Sequence, residues 1–116
     1  MRALIISTIL FISACSGVPS FYDDNESLLA VEVRYSVSRL DCSNPNTSNV
    51  KNSIDKLALY SESKKSSDIG KLVVLMKETS DGLHNKESIS PVYCKLKKKL
   101  LEQQSSDIAN AIMRRY

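Results

Sequence analysis

Few residues in this 116-residue chain are of types that do chemistry. His84 is the only histidine, and cysteines stand at positions 15, 42 and 94. A Ser-His-Asp triad is formally available, because serines and aspartates are common here. Nothing in the pattern assembles one. There is no Gly-x-Ser-x-Gly turn, and three glycines supply little material for an oxyanion loop. His84 falls in a predicted loop and is expected to be a solvated residue. The adjacent carboxylates Asp23 and Asp24 sit where a helix begins, and acidic residues there are explained by the helix dipole. No phosphate-binding loop or nucleotide motif is present. The remaining feature is a basic run, Lys95, Lys97, Lys98 and Lys99. On a helix, Lys95, Lys98 and Lys99 fall near one another, and Arg114 and Arg115 add charge further on. Such a face suits anionic head groups or an acidic partner, or it is simply solvated. These residues supply no preorganised catalytic site, so an enzyme, such as a small envelope hydrolase, is the lesser expectation. No cofactor is implied.

The third cysteine has a different context. Met1-Arg2 is a short positive start, and Ala3 to Ile12 is an apolar run broken only by Ser7 and Thr8. That run is the length of a signal-peptide core and too short to cross a bilayer, which needs roughly 20 residues. Ile12-Ser13-Ala14-Cys15 follows. It resembles the lipobox of bacterial lipoproteins, in which an aliphatic residue and two small residues precede an acylated cysteine. The resemblance implies cleavage before Cys15, a diacylglyceryl thioether on its sulfur and an acylated new amino terminus, so several palmitate-type chains would meet the need for more than one hydrophobic anchor. Ser16, where an Asp would favour the inner membrane, implies the outer membrane, with the body of the chain facing the periplasm. The expected organisation is a signal peptide over 1–14, a lipidated tether over 15–23 and a periplasmic domain over 24–116.

With Cys15 lipidated, Cys42 and Cys94 remain as one pair. An oxidising periplasm would close them as a disulfide, the alternative being two buried free thiols. A bridge would also take them out of contention as zinc ligands, so no metal site is expected.

These residues need a scaffold. Removing 14 of 116 residues leaves 102, enough for one domain with a modest core. With no Trp and two Phe, that core must be mostly aliphatic, and three Gly and three Pro argue against a loop-rich or all-β design. Without Arg2 the charge balance is 15 basic against 13 acidic residues, or +2, too weak to suggest nucleic acid.

Residues 24–40 read two ways. Val31, Val33, Tyr35 and Val37 alternate with polar residues as in a strand. Leu29, Val33, Val37 and Leu40 form a helical stripe that Asp24 or Asn25 could cap. No partner strand or Asn-Gly turn follows, which favours helix. Cys42 to Asn46, with Pro45, reads as a turn. Thr47 or Ser48 is expected to cap a second helix to about Ser63, with Val50, Ile54, Leu57 and Ala58 inward. Ser63 to Ser67 is a polar break. Ser66 or Ser67 starts a third helix with Ile69, Leu72, Val73, Met76 and Leu83 on its buried stripe, ending near Asp81-Gly82. After a loop over Asn85 to Ile89, Ser90-Pro91 is a strong start signal. The last helix is expected to run toward Arg115 with Val92, Leu96, Leu100, Leu101, Ile108, Ile112 and Met113 as its apolar positions. The expected fold is therefore mainly α: a bundle of about four helices stapled by one disulfide. In an up-down-up-down bundle the end of the first helix and the start of the fourth share a pole, which is where Cys42 and Cys94 would stand.

Small size, the absence of catalytic motifs, Ile12-Ser13-Ala14-Cys15 and Ser16 also resemble the outer-membrane lipoproteins that tailed phages encode, among them the spanin subunits. That resemblance implies a non-enzymatic module that binds an inner-membrane coiled-coil protein and acts in host lysis. Receptor-blocking exclusion lipoproteins and envelope-assembly accessories share the same character.

Overall fold

The computed structural model describes residues 23–115. The expected signal peptide, Cys15 and almost all of the tether lie outside them. The described residues form four helices: α1 (Asp24–Ser38), α2 (Ser48–Lys64), α3 (Ser67–His84) and α4 (Pro91–Met113). Each packs on its chain neighbours, and α1 also closes on α4, so the bundle is a four-membered ring without diagonal helix contacts. No strand occurs among the described residues.

The two readings of residues 24–40 are resolved in favour of helix. Ala30, Val33, Val37 and Leu40 are buried, whereas Val31 and Tyr35, the other half of the alternating pattern, are exposed. Asp23 caps this helix, ahead of the expected Asp24 or Asn25. Its Oδ1 accepts from the N–H groups of Asn25 at 2.8 Å and Glu26 at 3.1 Å. Asp23 therefore belongs to the bundle rather than to a tether.

Thr47 occupies the cap position of α2 without making a side-chain cap bond, and Asn46 Oδ1 accepts from the Ser48 N–H instead, at 3.2 Å. The break before α3 is only Lys65-Ser66. Lys65 turns the chain with φ 60°, a left-handed conformation that L side chains adopt at some cost. Helix α3 continues to His84, two residues past Gly82. Ser90 and Pro91 start α4 as expected, with Ser90 Oγ accepting from the Tyr93 N–H at 3.1 Å.

The core is aliphatic, as the composition requires. It joins Ala30, Val33, Val37 and Leu40 of the first segment to Val50, Ile54 and Leu57 of α2, Ile69, Val73, Met76 and Leu83 of α3, and Cys94, Leu101, Ile108 and Ile112 of α4. Ala58 and Leu72 pack at its rim. Four expected core positions of α4 are instead exposed: Val92, Leu96, Leu100 and Met113. The α4 sequence carries apolar residues on two faces, and only the face in phase with Cys94 and Leu101 meets the other helices. Small hydroxyl residues complete the interior: Ser53, Ser61, Ser80 and Ser105 are buried on the inward faces of α2, α3 and α4, where their small volume lets the helices approach.

Candidate functional site

The helix ends meet at two poles. At one, the end of α1, the start of α2, the end of α3 and the start of α4 converge. Cys42, just past α1, is bonded to Cys94, in the first turn of α4, with a Cα–Cα distance of 5.5 Å. One turn further along α4, Lys98 Nζ donates to the Leu40 carbonyl at 2.9 Å. Helix α1 has no basic residue in its own last turn, so Lys98 supplies the charge that the exposed carbonyls and negative dipole end favour. His84 lies here too. It is the last residue of α3, half-buried rather than in a solvated loop, and its Nδ1 is hydrogen-bonded to Thr47 Oγ1 at 2.8 Å. A hydroxyl beside an imidazole is one piece of a nucleophilic site, but no carboxylate among the described residues orients this ring. The contact ties α3 to the start of α2.

The other pole gathers the start of α1, the ends of α2 and α4 and the start of α3 around Glu26, whose side chain is fully buried. Ser61 and Ser66 donate their hydroxyls to Glu26 Oε2 at 3.1 and 2.8 Å, and Lys64 Nζ lies 4.0 Å from Oε1. Arg115, from beyond α4, donates to Oε1 through Nη1. The same guanidinium grips Asp68 with two parallel bonds, Nε to Oδ2 at 2.7 Å and Nη2 to Oδ1 at 2.6 Å. That grip holds the Asp68 carboxyl below its ordinary pKa and raises that of Arg115. Asp23 Oδ2 accepts from Tyr60 Oη at 2.9 Å and lies 3.2 Å from Lys64 Nζ. Burial pushes the Asp23 pKa up, but its hydrogen bonds from the Glu26 N–H, Tyr60, Lys64 and the Asn25 N–H outweigh this and lower it to about 2.

The expected basic face is thus divided. Lys95, Lys99 and Arg114 are exposed. Lys98 is committed to Leu40. Arg115 stands apart from them: its side chain is 2 % exposed and is held by Glu26 and Asp68. Lys97 and Lys86 flank the Tyr93 ring, 5.5 and 4.2 Å from its centre.

An open groove of about 790 Å³ runs between α1 and α2, lined by Tyr35, Arg39, Asn49, Asn52 and Leu59 among others. The carboxylates beside it are tied up, Glu32 with Lys56 and Asp55 with Lys51, where hydrogen bonding from the lysine lowers the Asp55 pKa. No group of three His, Cys, Asp or Glu among the described residues could hold a metal ion, and none of the described helices is long and apolar enough to cross a membrane. What the arrangement offers is surface for binding: large apolar side chains left in solvent on every helix, including Leu28, Tyr35, Leu59, Val74 and Leu96.

Sequence reasoning missed the Glu26–Arg115–Asp68 cluster, though a signal was present. Glu26 is in helical phase with Ala30, Val33, Val37 and Leu40, and Arg115 with Ile108 and Ile112. Charged residues continuing an apolar stripe at opposite ends of two helices mark a buried pair. Compared with known protein families, curated proteins and solved structures, the chain finds no match in any of the three.

Proposed function

We propose that this chain is a lipid-anchored, non-enzymatic protein-interaction module of the outer membrane, facing the periplasm. The observation that carries the reading is Ile12-Ser13-Ala14-Cys15 behind a short basic and apolar leader. The Cys42–Cys94 bond supports it in two ways. Disulfides persist in oxidising compartments such as the periplasm. This one also uses two of the three cysteines, which leaves Cys15 for the thioether. The exposed apolar side chains favour docking of a protein over chemistry on a small molecule.

Within this class we favour a spanin-like role in host lysis. The longest described helix has 23 residues, so the bundle is only about 35 Å long and a partner from the inner membrane must extend to reach it. The test is labelling with a palmitate analogue in a Gram-negative cell. Label should enter the wild-type chain, co-fractionate with the outer membrane and vanish in Cys15→Ser; an unlabelled wild-type chain in the soluble periplasm would refute the anchor. Periplasmic crosslinking then separates the roles. Recovery of an inner-membrane coiled-coil protein supports the spanin reading, and recovery of an outer-membrane receptor or transporter replaces it with exclusion or envelope assembly.

A further inference from the structure

Helix α4 carries two apolar stripes, and the bundle buries one. Val92, Leu96 and Leu100 form the other, at four-residue steps, and they remain 70, 64 and 39 % exposed. At about 100° per residue they point away from the face that carries Cys94 and Leu101. The stripe covers about 80° of the helix and about 12 Å of its length. That is the narrow seam one helix offers another, not the broad face, upwards of about 100°, that a helix buries in a core.

Both edges of the seam are cationic. Lys95 and Lys99 border it on the side nearer α1, the side from which Lys98 reaches Leu40. Lys97 borders it on the α3 side, where it and Lys86 stand over Tyr93. Lys95 and Lys99 form no ion pair with any described residue, whereas Lys51 of α2 and Lys77 of α3 are paired with carboxylates. The seam also begins at the disulfide pole, opposite the pole where Asp23 caps α1.

We infer that this face of α4 docks an acidic amphipathic helix of a partner protein. Its apolar side chains would cover Val92, Leu96 and Leu100, with carboxylates against Lys95 and Lys99 on one edge and Lys97 and Lys86 on the other. This deepens the interaction reading above but needs no lipid on Cys15, so palmitate labelling can fail or succeed independently of it.

The test uses the full chain with its disulfide intact. The probes are two designed helical peptides with one leucine stripe, flanked by Glu in the first and by Lys in the second, together with phosphatidylglycerol vesicles. The Glu-flanked peptide should bind about tenfold more tightly than the Lys-flanked one at low salt. Leu96→Asp should abolish that binding, and Lys95→Glu with Lys99→Glu should reverse the preference. Both variants should keep the wild-type thermal transition, because the altered side chains are exposed. Equal or absent binding of the two peptides would overturn the inference. So would vesicle binding that Leu96→Asp abolishes while neither peptide binds, which would make the face a membrane contact.

Discussion

Replacing Arg115 with Ala should be among the most damaging single changes in the bundle, although the residue stands beyond the last helix. The substitution leaves the fully buried Glu26 carboxylate without its guanidinium and frees Asp68. Removing one member of a buried ion pair costs about 3–5 kcal/mol, because the remaining charge stays desolvated. Here the low end applies. Ser61 and Ser66 still donate to Glu26 at 3.1 and 2.8 Å, Lys64 is 4.0 Å away, and Asp68 is 33 % exposed and can hydrate. The expected loss is about 3 kcal/mol against a typical domain stability of about 5–15, a fall in Tm of about 12–24 °C. Urea denaturation reads it as a lower midpoint at unchanged m value. The pair Glu26→Leu with Arg115→Met should recover to within about 1 kcal/mol of wild type, since apolar replacement of a buried pair is often neutral or stabilising and the freed Ser61 hydroxyl can turn back to a carbonyl of α2. A loss below about 1 kcal/mol for Arg115→Ala, the worth of a surface pair, would refute the reasoning.

Two further measurements probe the same scaffold. Cys42→Ser with Cys94→Ser opens a link of 52 residues. Denaturant titration should show a loss of about 4 kcal/mol from the added chain entropy of the unfolded state, and a loss under about 1 kcal/mol would remove the bridge from the stability argument. Acid titration should reveal Asp23, whose pKa falls from 3.8 to about 2 on folding. Between these values the unfolded chain binds more protons, so the contribution is fully present above pH 3.8 and is lost as pH falls through 2. A shift of that size is worth about 2 kcal/mol, discounted to about 1 because the group is partly exposed. Asp23→Asn should flatten the acid limb of the stability profile by that amount, and an unchanged limb would assign the acid loss to other carboxylates.

Residues 24–40 show how far pattern alone reaches. A period-two reading and a helical reading used the same valines, Val33 and Val37, and differed in setting Val31 and Tyr35 against Leu29 and Leu40. Local alternation cannot decide that, because it depends on which surface the rest of the chain covers. Helix α4 shows the same limit within an element correctly read. Its start at Ser90-Pro91 is a local matter of capping and proline geometry, legible residue by residue. Its buried face is not, because Val92, Leu96 and Leu100 are as apolar as Leu101 and Ile108.

The helical class, most of the helix starts and breaks and the aliphatic core are legible in the order of residues, as are Cys42 and Cys94 as the pair that remains once Cys15 is set aside. Each follows from composition, capping chemistry or the arithmetic of a few special residues. Packing alone selects which of the two apolar stripes of α4 is buried, brings His84 to Thr47, and closes one pole with Glu26, Asp68 and Arg115. These contacts join residues 37 to 89 positions apart. Their energies depend on removing groups from water together, which happens only when four helices have packed.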